Sequence, residues 1–231
     1  SDAAQVTGAV AIRMGDRLAL IGGHNFTGDY AGVATQGSTQ EYVQRISLFD
    51  PQQSMTVPVE TITGLADELF RRDMNCSPAM LPDDEGGVTP GMVIHGGVFQ
   101  GIFPWFTPVT FALGDERAHE HLDFEMRMNQ YEGPRASFWS ESTGENRFIL
   151  FGISSHDWDP KTEQWTFNFN TPWTAEITQQ RIIDGQWIGE PGEGAFGGAP
   201  VTVIDQVVGQ MPLPLSNAEI VFNRRLPTAP N

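Results

Sequence analysis

Four times along this chain a short run of apolar residues stops at glycine. The copies are Leu18-Ala19-Leu20-Ile21-Gly22-Gly23, Met92-Val93-Ile94-His95-Gly96-Gly97, Phe148-Ile149-Leu150-Phe151-Gly152 and Ala195-Phe196-Gly197-Gly198. Recurrence of this kind constrains a chain more than any single motif, because one local unit is built repeatedly and the units must stack. The first glycines of successive copies lie 74, 56 and 45 residues apart, enough for a small sheet each, with insertions in the longer intervals. A glycine at the end of a strand admits a left-handed backbone and the close approach of another segment, both of which a Cβ would block.

The intervening sequence reads as strands. Apolar runs such as Val6 to Met14, Gln40 to Phe49 and Leu122 to Met128 are short or alternate with polar residues, and they end at Gly, Pro, Asn or Asp. Ala136 to Glu141 and Arg147 to Phe151 flank Ser142-Thr143-Gly144 as a hairpin would. Helical periodicity is confined to Thr63–Arg72, where Leu65, Leu69 and Phe70 could share a face, so one or two helical turns are expected there. The expected fold class is therefore all-β, a sandwich, barrel or propeller, with the repeats favouring the propeller.

Further residues fit that choice. Ile46-Ser47-Leu48-Phe49-Asp50-Pro51 follows the first glycine pair, and His156-Asp157-Trp158-Asp159-Pro160 with Trp165 follows the third copy. The pattern of apolar residues, Gly-Gly, an aromatic with Asp-Pro, and Trp resembles kelch repeats. The block Phe70-Arg71-Arg72-Asp73-Met74-Asn75, then Pro78-Ala79, Leu81-Pro82 and His95-Gly96-Gly97-Val98-Phe99, is similar to one in a group of exported bacterial kelch-like propellers of unassigned activity. Val6-Thr7-Gly8, Phe26-Thr27-Gly28 and Ser216 to Phe222 extend the resemblance over most of the chain. Phe70 stands where that group tends to have His, and Gly152 is followed by Ile153 rather than a second Gly. The resemblance implies a kelch-like β-propeller of about four blades, around residues 5–60, 75–130, 134–188 and 195–226, and a periplasmic or extracellular location. A compact ring and an incomplete ring completed by another segment or chain are both open, since unpaired strand edges invite pairing.

Charge narrows the partners. The chain of 231 residues carries 29 Asp and Glu against 13 Lys and Arg, a formal net charge of −16, and its one lysine is Lys161. Such a surface repels phosphate backbones, so nucleic acid is not an expected partner. No apolar run is long enough for a transmembrane helix. The single cysteine, Cys76, cannot form an internal disulfide.

Among residues that could carry chemistry, His24, His95 and His156 sit at or just after the glycine strands. Equivalent positions of different blades converge in a propeller, where three imidazoles could bind copper or zinc. His119-Glu120-His121 is a second, weaker metal candidate. Copper oxidases built on kelch propellers use Tyr and Cys, but no local pattern ties Cys76 to Tyr30, Tyr42 or Tyr131. Asp83-Asp84-Glu85 and Asp157 with Asp159 could hold calcium but lack the regular loop pattern. Arg71 and Arg72 could clamp a carboxylate or phosphate, or tie neighbouring blades to Asp73. The aromatic stretch Phe99 to Phe106, with Phe103, Trp105 and Phe106, is a docking patch for protein or glycan if exposed and a plug between blades if buried. The expected function is an exported interaction or scaffold module that needs no cofactor. The alternative is a metal-dependent, copper-type oxidase or glycan-processing enzyme.

Overall fold

The computed structural model of the chain describes residues 5–28, 39–53, 57–100, 103–153, 156–159, 161–162, 164–167, 173–194 and 200–210. The described residues form strands and turns, with no helix, so the protein is all-β.

Strands β1 (Val10–Met14) and β2 (Arg17–Ile21) open a sheet that is continued, after an inserted hairpin of β3 (His24–Thr27) and β4 (Thr39–Tyr42), by β5 (Arg45–Phe49) and β6 (Glu60–Thr63). Its order is β1-β2-β5-β6, antiparallel throughout. The second sheet repeats this plan. Strands β7 (Asn75–Pro82) and β8 (Val88–His95) are followed by a hairpin of β9 (Val98–Gln100) and β10 (Phe103–Pro104), then by β11 (Val109–Ala112) and β12 (His119–Glu120), in the order β7-β8-β11-β12. A short β13 (Phe124–Glu125) leads to the third sheet. There β14 (Arg135–Ser140) and β15 (Glu145–Ile153) precede a hairpin of β16 (His156–Asp159) and β17 (Gln164–Phe167), then come β18 (Trp173–Ile183) and β19 (Gln186–Ile188). Strands β20 (Glu190–Glu193) and β21 (Pro200–Val203) pair with each other, β21 runs parallel to β13, and β22 (Gln206–Gln210) pairs with the earlier part of β18. No closed ring of sheets is seen among the described residues, and most of 195–226 lies outside them.

The glycine pairs have a common geometric cause. Gly22, Gly23, Gly96 and Gly97 all have positive φ, at 56, 84, 68 and 101°. In each pair the second glycine faces the segment that enters its own sheet. A Cβ on Gly23 would lie 2.8 Å from Thr7 O, and one on Gly97 would lie 2.9 Å from Met74 Cβ. The first glycine faces the segment that enters the next sheet. A Cβ on Gly22 would lie 2.7 Å from Arg71 O, and one on Gly96 would lie 2.9 Å from the Gln130 amide nitrogen. The linker at 71–74 is thus held between two glycine pairs, with Gly23 N–H donating to Arg71 O at 2.9 Å and Arg72 exchanging two backbone hydrogen bonds with Val98.

Side-chain alternation along the second sheet supplies both of its neighbours. Cys76, Met92, Ile94, Val109 and Phe111 pack with Met14, Ile21, Ile46, Leu48 and Ile62 of the first sheet. Ala79, Leu81, Val93 and Ala112 point the other way and pack with Phe148, Leu150, Ile182 and Trp187 of the third. The period-2 geometry of a strand makes this possible: residues 92 and 94 face one neighbour while 93 faces the other. The opening strands of successive sheets approach one another, β7 nearing both β1 and β14, with β1 also near β8.

Two expectations are corrected. Thr63–Arg72 is not helical: Leu65 is 68% exposed while Leu69 is 1% exposed, so they share no apolar face. The Glu68 carboxylate accepts the Leu65 and Ala66 amides at 2.9 and 2.6 Å, and Phe70 N–H donates to Asp67 O, closing turns that replace the helical ladder. The long strand expected over Leu122–Met128 is reduced to Phe124–Glu125, because Phe124 N–H turns back to His121 O and Met126 N–H goes to Phe106 O.

The glycine geometry predicts a contrast. Gly114, at φ 92° with open space around it, should lose about 1–2 kcal/mol on replacement by Ala from backbone strain alone. Gly22→Ala adds a clash with the Arg71 carbonyl and should cost about 1–3 kcal/mol more. Urea midpoints at unchanged slope measure the difference.

Candidate functional site

Many of the polar side chains that the three sheets bury lie toward the end marked by the glycine pairs, while Asn146, bonded to both backbone groups of Met80, lies toward the other. Arg71 is fully buried, and each of its five N–H groups has an acceptor. Nε donates to Glu68 O at 2.8 Å, Nη1 to Gly96 O at 3.1 Å and Thr107 O at 2.7 Å, and Nη2 to Thr107 Oγ1 at 3.1 Å and Glu120 Oε1 at 2.8 Å. Its guanidinium carbon lies 4.4 Å from the centre of the Trp105 ring, whose indole N–H donates to Phe70 O at 2.9 Å. Burial lowers the Arg71 pKa to about 10, which leaves it cationic at neutral pH. Arg71 is a staple that joins a linker, a glycine turn and the far strand of the second sheet.

Arg72 lies beside it with a different task. Its Nη1 is 3.4 Å from His24 Nε2, and its Nε is 3.7 Å from Asp73 Oδ2. Burial, then the Arg72 charge, lowers the His24 pKa. Asp73 sits at φ 50° just before β7, and burial raises its carboxyl pKa against the pull of Arg72 and a hydrogen bond with Tyr131. Tyr42 stacks on Phe70 at 3.9 Å and lies 5.7 Å from the His24 ring. Among the described residues His24 Nδ1 has no hydrogen-bond partner.

A second polar group fills the seam between the second and third sheets. Asn75, Ser77 and His95 come from the second sheet, Thr178 and Gln180 from β18, and all five are buried. His95 Nδ1 meets Gln180 Oε1 at 2.8 Å, and Arg135 Nη1 donates to Asn75 Oδ1 at 3.1 Å. Since the Gln180 oxygen accepts, Nδ1 carries the ring proton and Nε2 is a bare acceptor. That nitrogen, Ser77 Oγ, Thr178 Oγ1, Gln180 Nε2 and Asn129 Oδ1 are buried without a hydrogen-bond partner among the described residues. Burial lowers the His95 pKa to about 3, so the ring is neutral at physiological pH. The seam is a hydrogen-bonding environment of neutral side chains with one cation, Arg135, on Asn75. Cys76 beside it is no nucleophile, because burial raises its thiol pKa to about 12.

The structure distributes the residues singled out from sequence. Trp105 and Phe106 are each 5% exposed and Arg71 is 0% exposed, so these three are plugs and staples rather than a surface offered to a partner. Arg72, 9% exposed, is held in the His24 and Asp73 group. Phe103 lies in β10, and its side chain is outside the described part. His24 opens β3 after its glycine pair, whereas His95 ends β8 before its own, so the two are not equivalent positions. His156 opens β16, and its side chain is outside the described part. Among the described residues no group of three His, Cys, Asp or Glu side chains could hold a metal ion. His119 and His121 stack edge to face at 4.5 Å, with His121 bonded to Thr110 Oγ1. The calcium candidates close turns instead: Asp83 Oδ1 accepts the Glu85 and Gly87 amides, and Asp159 accepts Lys161 N–H and the Thr162 hydroxyl.

Gln180, Thr178, Ser77 and Asn75 were not singled out from sequence. The signal they carry is parity: Asn75 and Ser77 share a face of β7 with apolar Ala79 and Leu81, and Thr178 and Gln180 share one of β18 with Ile182. The chain matches no protein-family model and no curated protein.

Two predictions follow from this geometry. Arg71→Lys keeps the charge but loses the fork, leaving Glu120 and several carbonyls short of donors, and should cost about 3–5 kcal/mol in urea unfolding. His95 is neutral in both states above its usual pKa of 6.5, so its contribution is complete there. As pH falls below 6.5 the unfolded chain takes up a proton that the folded chain refuses, so stability declines toward pH 3. His95→Gln should flatten this decline by up to about one proton in the urea midpoint measured against pH.

Proposed function

We propose that the chain is an exported interaction module of the kelch-propeller kind, which binds a protein or glycan partner through the hairpins at the glycine end of its sheets. One observation carries this reading: three sheets of the same topology each release a hairpin between their second and third strands, β3–β4, β9–β10 and β16–β17. Equivalent departure points on stacked sheets give connections that vary freely over a rigid base, the arrangement that favours recognition. The fixed base is supported by Arg71 and the glycine pairs beneath the hairpins. The net charge of −16 favours a neutral or basic partner surface over nucleic acid. Stacking of successive sheets with their opening strands near one another supports the propeller reading. In that reading, further blades from another segment or chain complete the ring.

The test is binding to an array of glycans and cell-surface glycoproteins. The intact chain should bind, and a variant in which residues 25–41 are replaced by a two-residue Asn-Gly turn, which keeps His24 opposite Tyr42, should bind at least about tenfold more weakly at an unchanged urea midpoint. Equal binding by both chains, or none by either, would overturn the proposal.

A further inference from the structure

Between β21 and β22 the chain turns at Asp205, and the turn rests on the segment that leads from β13 toward the third sheet. Thr202 N–H donates to Asp123 O at 2.9 Å and Ile204 N–H to Glu125 O at 3.0 Å. The Asp205 carboxylate completes the contact. Its Oδ2 accepts the Arg127 amide at 2.8 Å and the Met128 amide at 2.6 Å, and its Oδ1 lies 2.8 Å from the same Arg127 nitrogen. Met126 and Ile204, next to this contact, are buried in the apolar cluster with Phe148, Leu150 and Trp187. A carboxylate that is itself only 6% exposed thus ties residues 202–205 to residues 123–128. The tie bears on the third sheet as well, since β22 pairs with β18.

The surroundings do not balance its charge. Among the described residues the charged groups around Asp205 come from three elements. Arg127, on the linker itself, has Nη1 3.8 Å from Glu125 Oε2 and Nη2 donating to Glu193 O. Arg181, on β18, has Nε 2.7 Å from Glu145 Oε1. Glu190 and Glu193, on β20, are further anions. Both guanidiniums are therefore shared with other acceptors, while burial penalises the carboxylate. A half-open pocket of ≈ 730 Å³, lined also by Arg127, Gln179, Arg181 and Glu190, brings water and protons to the wall that Asp205 forms.

We propose that Asp205 makes the β21–β22 turn an acid-tightened clasp, held more firmly on residues 123–128 in mildly acid surroundings, where the carboxyl is neutral, than at neutral pH, where it is charged. The geometry allows the neutral form to keep the contact. Oδ2 alone lies within reach of both amides, so it can serve as the carbonyl oxygen while Oδ1 carries the proton. The charged form keeps the same bonds but holds an anion in an apolar wall, and lifting the turn returns that anion to water. Burial raises the Asp205 pKa from 3.8 to about 6 against the pull of the Arg127 and Met128 amides. A carboxyl with a raised pKa binds its proton more tightly in the closed clasp than in the open one. Lowering the pH from 7.5 to 5 should therefore shift the balance toward the closed form by about tenfold. The clasp involves none of the hairpin residues and works whatever they bind.

The experiment is native-state amide exchange of the intact chain at pH 7.5 and pH 5, corrected for the intrinsic exchange rate at each pH. The Thr202 and Ile204 amides, which donate across the clasp, should gain about tenfold in protection at pH 5. Asp205→Asn keeps one acceptor oxygen and carries no charge, so the gain should vanish, with protection at pH 7.5 at or above that of the intact chain. The β8 amides report global unfolding, to which His95 contributes in the opposite direction, so a gain confined to the clasp is not a global effect. If Asp205→Asn does not fold, the ¹³C signal of the Asp205 carboxyl, assigned through its own backbone, should titrate near pH 6 in the intact chain. Protection of Thr202 and Ile204 that stays level or falls on acidification, a gain that persists in Asp205→Asn, or a carboxyl midpoint at or below about 4 would overturn the proposal.

Discussion

The structure depends on how closely one backbone passes another at the glycine pairs. The linker at 71–74 runs between Gly22-Gly23 of one sheet and Gly96-Gly97 of the next, at separations that leave no room for a Cβ. Asn129 and Gln130 then cross Gly96 as Arg71 crosses Gly22. Each sheet is thereby placed on the one before it by its own incoming segment. Arg71 locks the arrangement from beneath, because its five donors are spent on the linker, the glycine turn and the outer strand of the second sheet.

That placement decides what each face of the second sheet must be. It is covered on both sides, so its strands carry apolar residues at both parities, as in Met92-Val93-Ile94. Burial is not uniform along the strands. The glycine end of the seam with the third sheet is polar, through Asn75, Ser77, His95, Thr178 and Gln180, and the other end is mainly apolar, through Leu81, Ala112, Ile182 and Trp187, with Asn146 bonded to the Met80 backbone. Polar groups at the first end bond partly to one another and leave several atoms unpaired. Packing at the second end leaves the cavity beneath Trp187. Hairpins depart at the glycine end, and the half-open pocket lined by Leu81, Ile182 and Trp187 lies at the other.

The repeated sheet was legible in sequence because glycine has no substitute where two backbones touch, and the requirement shows at both Gly22-Gly23 and Gly96-Gly97. The third-sheet hairpin was legible for a similar reason: Ser142-Thr143-Gly144 leaves little but a turn, and Gly144 has φ 60°. Thr63–Arg72 was misread because Leu65, Leu69 and Phe70 fit a helical spacing, while the turn that forms is set by the Glu68 side chain, which no periodicity reports. Arg71 and Trp105 were legible as notable residues but not as buried ones. A guanidinium goes inside only when every donor is met, and its partners Gly96, Thr107 and Glu120 are up to 49 residues away in sequence. The three histidines looked equivalent from their nearness to glycine, yet a shift of a few residues across a glycine pair places His24 and His95 on different strands with different neighbours.

The most direct test is native-state amide hydrogen exchange resolved by strand. If the second sheet is clamped on both faces, the amides of β8 and β11 should be the most protected in the chain and should exchange only through global unfolding. Gly22→Ala and Arg71→Lys should then lower the protection of β2, β8 and β11 together. Exchange of the second sheet that is faster than that of the first and third, or that ignores both substitutions, would contradict the account.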